Sequence, residues 1–194
     1  MAAASPRDRW LTLPNLLTLS RLPLAVLLFV CIDHEWWLAG LVDFVIASLT
    51  DWADGFLARR LGQLSALGRS LDPLIDKVLV GGSFIFLIPV KESDLTPWMV
   101  TVVIGRELLI TGLRGIMEAQ GVKFGADMLG KIKMVLQCAV LIVVLVNLWM
   151  LKQAWSEPLR STFWWLQIGL IYVMLAATVF SGAQYILKAV RQYR

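Results

Sequence analysis

LTDWADGFLARRLGQLSALGRSLDPLIDK, residues 49–77, sets four aspartates (Asp51, Asp54, Asp72 and Asp76) between two strongly apolar segments. On a helix, Asp51 and Asp54 are i, i+3 neighbours and Asp72 and Asp76 are i, i+4 neighbours, so each pair lies on one helix face. A short connection between two such helices makes an antiparallel hairpin and lets the two pairs meet at one end. Four carboxylates brought together repel unless a cation sits between them. An all-oxygen donor set without His or Cys points to Mg2+, Mn2+ or Ca2+. The residues between suit a phosphate ligand: Gly55 leaves room beside the backbone, Ala58 is small, Arg59 offers a bidentate fork, and Gly68 can bend the connection.

The rest of the chain puts this cluster in a membrane setting. Its 194 residues are 58% hydrophobic, above the roughly 45–50% of soluble domains, with mean hydropathy +0.72. The apolar residues fall into six runs, Leu13–Ile32, Trp36–Leu61, Asp72–Val90, Leu95–Glu118, Ala126–Leu151 and Phe163–Val190. Each is close to or above the roughly 20 residues that cross a hydrocarbon core. Backbone in lipid must satisfy its own hydrogen bonds, so the expected fold class is an all-α integral membrane protein with six transmembrane helices. It forms one domain, residues 1–194, opened by a short cytoplasmic segment, residues 1–12. Pro14 and Pro73 suit first turns, and Asp72 suits the N-cap before Pro73.

With both termini in the cytoplasm, only Lys91, Lys152 and Arg160 of the 18 Lys and Arg residues fall on the far side. That asymmetry sets the orientation. It also accounts for the net charge of +4 through head groups rather than nucleic acid, which is not an expected partner. Most of the nine tryptophans flank spans as interfacial anchors do. The orientation also gathers Arg21, Asp51, Asp54, Asp76, Arg106, Glu107, Lys131 and Lys133 in the cytoplasmic half, where a shared wet cavity would lower their cost. Asp43 lies about 12 Å of helix from Asp51, too far to share its ion, and is expected to pair with another helix. His34 reads as a surface residue. Cys31 and Cys138 stand alone in apolar runs and suggest neither disulfide nor zinc.

Asp51-x2-Asp54-Gly55-x2-Ala58-Arg59-x8-Gly68-x3-Asp72-x3-Asp76 resembles the complete signature of the CDP-alcohol phosphotransferase (CDP-alcohol phosphatidyltransferase) family. LPNLLTLSRLPLA (13–25) looks like its amino-terminal P-N-x2-T-x2-R segment. GRELLITGLRGIMEAQG (105–121) and LGKIKMVLQ (129–137) are similar to the phosphatidylglycerophosphate synthase branch. The resemblance implies a six-helix membrane fold, a homodimer, and a site open to the cytosol of a cell's inner membrane. It implies two divalent cations, Mg2+ or Mn2+, on Asp51, Asp54, Asp72 and Asp76, with Asp76 also the base on the attacking hydroxyl. Gly55, Arg59 and Ser65 would contact the diphosphate of CDP-diacylglycerol, with Ala58 and Gly68 in the same cradle and Asn15 and Thr18 close by.

The acceptor's own phosphate needs separate cations, for which Arg106, Arg114 and Lys131 are the candidates. Lys133 could share that role but is not counted with them, and Glu107 can orient one of the arginines. The implied reaction moves the phosphatidyl group of CDP-diacylglycerol to glycerol 3-phosphate. Inositol phosphate or another alcohol as acceptor stays open, as does, more remotely, a divalent-cation transporter.

Overall fold

The structure, a computed structural model, describes residues 13–61, 66–120 and 128–192, with side chains at 19–50, 74–120, 128 and 130–191. The described residues are helical almost throughout and contain no strand. Six long helices follow in order: α1 Leu13–Asp33, α2 Trp37–Leu61, α3 Ala66–Leu87, α4 Pro97–Ala119, α5 Met128–Lys152 and α6 Glu157–Gln192, with one 3-10 turn at Lys91–Ser93. Their bounds differ from the apolar runs where polar residues continue a helix or a proline stops it.

Three ends are corrections. Helix α3 begins at Ala66, six residues before the expected Asp72. Asp72 is therefore not an N-cap, Pro73 is not in a first turn, and Gly68 lies within a helix rather than in a bend. Ala66, Leu67, Arg69 and Leu71 are good helix formers, and a helix need not stop where its residues become polar. Helix α3 ends at Leu87 rather than Val90, because Pro89 disfavours helical backbone at Ile88. Helix α6 begins at Glu157, not Phe163. Pro158 sits in its first turn, where the missing N–H costs nothing, and the Arg160 amide bonds the Ser156 carbonyl at 3.1 Å.

The turns have visible causes. Glu35 (φ 57°), Asp94 (φ 56°) and Ala154 (φ 51°) adopt left-handed backbone after α1, the 3-10 turn and α5. After α1, the Trp36 amide returns to the Cys31 carbonyl at 2.7 Å, closing the last turn. Thr96, extended at φ −100° and ψ 155°, precedes Pro97 at the start of α4.

The chain forms two compact units, residues 1–83 and 84–194. In the first, α1 packs along α2. Arg21, Ala25, Leu28 and Ile32 form a buried stripe on α1, and Phe44 and Ala47 are buried on α2. Gly82 of α3 lies against Phe29: a Cβ there would come within 2.3 Å of the ring, so a larger residue would have to displace the Phe29 side chain. In the second unit, α6 packs against α4 and α5 through Val140, Leu141, Val144 and Leu145 of α5 and Ile171 and Met174 of α6.

Large apolar side chains also face outward, among them Leu108, Val135 and Phe180. Residues 130–152 and 157–191, at mean hydropathy 2.5 and 1.8, are long and apolar enough to cross a membrane, and more than half of each segment's apolar window is unburied. Outward apolar surface of this extent suits lipid better than water.

Candidate functional site

In the first unit, the backbone of α2 carries Asp51, Asp54, Gly55, Ala58 and Arg59, that of α3 carries Gly68, Asp72 and Asp76, and that of α1 carries Asn15 and Thr18. Ser65 and, except for Asp76, the side chains of these residues lie outside the described residues. Asp76 is the described member of the aspartate motif. Arg21 Nη1 donates to its Oδ1 at 2.5 Å, with the arginine side chain 1% exposed and the carboxylate 21% exposed.

This contact follows from the register of the helices. The buried stripe of α1 includes Arg21, and Phe29, two turns further along, meets α3 at Gly82. The same two helices therefore touch at Phe29–Gly82 and at Arg21–Asp76. Burying a guanidinium without a carboxylate would be costly, so α1 supplies Asp76 with a counter-charge and fixes one of its oxygens. Arg21 was legible in sequence as an intramembrane charge and as the arginine of the P-N-x2-T-x2-R segment, but neither signal gave it a task.

Among the described residues, no three His, Cys, Asp or Glu side chains cluster in a way that could hold a metal ion. Asp76 nonetheless fits a hard cation chemically: it is an oxygen donor with one oxygen fixed by Arg21 and part of its surface open. Asp43 is 5% exposed, and its Oδ2 has no hydrogen-bond partner among the described residues. The pairing expected for it with another helix is not seen there.

The second unit holds the cations expected to meet an acceptor phosphate. On α4, Glu107 receives Arg106 Nη1 at 3.3 Å and is also paired with Lys133 of α5. Arg106 passes beside Gly182 of α6, where an added Cβ would come within 3.1 Å of Arg106 Cγ. Its Nε is buried and has no hydrogen-bond acceptor among the described residues. Arg114, two turns further along α4, donates from Nε to Tyr185 Oη at 3.3 Å and lies 5.7 Å from the centre of that ring. A guanidinium oriented through Nε keeps its Nη groups for another partner.

Lys131 differs from these two arginines. It is exposed on α5, whereas Lys133, two residues on and 6% exposed, turns to Glu107. Residues two apart on a helix do not share a face, so the two lysines serve different surroundings. Glu107 thus orients Arg106, as its position in sequence suggested, and holds Lys133 with it. Tyr185 and Gly182 carried no local signal, because a Tyr or Gly in an apolar helix reads as packing.

The family comparison can be set beside this geometry. The CDP-alcohol phosphatidyltransferase family matches residues 11–183. The chain belongs to that family. A CDP-diacylglycerol–glycerol-3-phosphate 3-phosphatidyltransferase of Bacillus subtilis (strain 168) is 41% identical over 137 residues, covering 62% of this chain and 69% of that protein. A protein of the same name from Pseudomonas fluorescens is 31% identical over 188 residues, covering 92% and 90%. The chloroplastic/mitochondrial enzyme 1 of that name from Arabidopsis thaliana is 35% identical over 198 residues, covering 92% of this chain and 62% of the plant protein.

Proposed function

We propose that this chain is a membrane transferase of phospholipid synthesis, which moves the phosphatidyl group of CDP-diacylglycerol to glycerol 3-phosphate and releases CMP. The observation that carries the reading is the name shared by relatives 31–41% identical to it. The aspartate signature, complete in residues 51–76, agrees with it. The six helices would each span the bilayer, with both termini and the site on the cytoplasmic side, as the Lys and Arg asymmetry supports. The working form would be a homodimer in the inner membrane.

Asp51, Asp54, Asp72 and Asp76 would hold two Mg2+ or Mn2+ ions, which when bound neutralise the diphosphate charge that grows as CMP leaves. Asn15, Thr18, Gly55, Ala58, Arg59, Ser65 and Gly68 would line the cradle of the CDP-lipid, with Arg59 on the diphosphate. Asp76 would accept the proton of the acceptor hydroxyl as its oxygen attacks the phosphorus bearing the lipid and the bond to the CMP phosphate breaks. Arg21 supports that role by holding Oδ1 and so orienting the carboxylate. Arg106, Arg114 and Lys131 would bind the phosphate of glycerol 3-phosphate. Lys133 is not counted with them; it shares the Glu107 carboxylate with Arg106.

The direct test offers purified protein CDP-diacylglycerol, Mg2+ or Mn2+, and one acceptor at a time, with the lipid product identified by mass spectrometry and CMP followed in parallel. Phosphatidylglycerophosphate is expected with glycerol 3-phosphate. A lipid product with inositol phosphate and none with glycerol 3-phosphate would overturn the acceptor.

A further inference from the structure

At the end of the second unit remote from Lys133, the 3-10 turn, the last turns of α5 and the first turns of α6 line a cavity of about 410 Å³ that is open on one side. Asn147 on its wall is 14 residues beyond Lys133, or about 21 Å along α5. The cavity is therefore separate from the cations described above. Its walls include Lys91, Glu92, Asn147, Arg160, Ser161 and Trp164.

The far wall is rigidly built. Asn147 and Gln167, 2% and 1% exposed, are joined by an amide hydrogen bond of 2.9 Å. Gln167 Nε2 reaches the Glu92 and Ser93 carbonyls, each at 3.1 Å. Asp94 Oδ2 accepts from Gln167 at 2.9 Å and from the Trp164 indole at 3.0 Å. Asp94 is thus occupied within the wall.

Of the other charged residues on the wall, Arg160 and Glu157 are paired with each other. Lys91 and Glu92 are exposed and form no ion pair with a described residue. Arg160 reaches Glu157 through Nη1 at 2.9 Å, but its Nε is buried and has no acceptor among the described residues. Two cations and the Ser161 hydroxyl therefore offer donors to an anion, beside a carboxylate that can take an ammonium. Trp149, Trp155, Trp164 and Trp165 surround this end in two close ring pairs, 5.6 and 4.8 Å between centres. Such aromatic clusters mark the level of lipid head groups.

We propose that this cavity binds the head group of a zwitterionic phospholipid carrying a primary amine. Lys91, Arg160 and Ser161 hold the phosphodiester, Glu92 holds the ammonium, and Trp164 lies against the glycerol end. The opposed charges select this ligand over a purely anionic lipid, which would leave Glu92 facing a negative head group.

Native mass spectrometry of the full chain, released from mixed vesicles of phosphatidylethanolamine and phosphatidylglycerol, tests the assignment. The wild type should retain phosphatidylethanolamine preferentially. Lys91→Ala and Arg160→Ala should each weaken retention about tenfold, as expected for loss of a charge-assisted hydrogen bond. Glu92→Gln should keep phospholipid but lose the preference for the amine. Lys91→Ala lies on the surface and should keep wild-type transferase activity, which shows that the variant is folded. Unchanged retention in Lys91→Ala, equal retention of the two lipids by the wild type, or equally tight binding of soluble glycerophosphoethanolamine would each overturn the proposal.

Discussion

Replacing Arg21 with alanine tests the link between α1 and Asp76. The arginine is 1% exposed and its partner 21% exposed, at 2.5 Å, so solvent screens this pair far less than a surface ion pair. A hydrogen bond to a charged group contributes about 1.5–3 kcal/mol. If that energy orients Asp76 in the transition state, its loss slows turnover by about 10- to 150-fold. Asp76→Asn, which removes the proposed proton acceptor itself, should cost at least about 100-fold.

The assay is kcat and KM with CDP-diacylglycerol and glycerol 3-phosphate in detergent micelles, with thermal unfolding followed on the same samples. The expected pattern for Arg21→Ala is a fall in kcat at little-changed KM for glycerol 3-phosphate. Arg21→Lys should recover part of the loss, since it keeps the charge but not the planar fork. In a stability cycle with Asp76→Asn, the two substitutions should couple by about 1.5–3 kcal/mol. Turnover of Arg21→Ala within about threefold of wild type, a change of less than about 0.7 kcal/mol, would refute the positioning role.

Three further outcomes concern the second unit. Tyr185→Phe removes the acceptor for Arg114 Nε while keeping the ring beneath it; KM for glycerol 3-phosphate should rise about threefold to tenfold, in line with one neutral acceptor of about 0.5–1.5 kcal/mol, and KM for CDP-diacylglycerol should stay constant. Gly182→Val crowds Arg106 Cγ, already 3.1 Å from where a Cβ would stand, so steady-state kinetics should show weaker acceptor binding with the secondary structure retained by circular dichroism. Burial raises the pKa of Asp94 above its ordinary 3.8, while bonds from Trp164 and Gln167 act against the rise. The native state therefore holds that proton more tightly than the unfolded one, and this contribution to stability is full below the ordinary carboxylate range and is lost as pH rises through the raised value. Melting temperatures across that window should fall with pH more steeply for the wild type than for Asp94→Asn.

The six helices were legible because 20-residue apolar runs have few other uses, and the aspartate spacing was legible because it repeats the helical period. The ends were less so. At Ala66 and Glu157 the helices run on through Arg69, Ser70, Arg160 and Ser161, since a helix that leaves the hydrocarbon region can carry polar residues for another turn or two. Within the site, sequence indicated which residues carry charge but not which way each faces. Lys131 and Lys133 have the same composition and neighbourhood, and the register of α5 decides that Lys133 is the buried one. Arg21 and Asp76 are 55 residues apart, a pairing that no local period can announce.

The length of α6 has a mechanical consequence. Its 36 residues rise about 54 Å, against a hydrocarbon core of about 30 Å. Crossing a membrane, such a helix would have to lean or stand out of the bilayer, and a thicker bilayer would favour a more upright helix. Gly182 and Tyr185, which shape the surroundings of Arg106 and Arg114, sit near one end of this long lever. For an α6 that crosses the bilayer, acyl-chain length in the host membrane would become a physical variable for the surroundings of Arg106 and Arg114, independent of any lipid that binds as substrate.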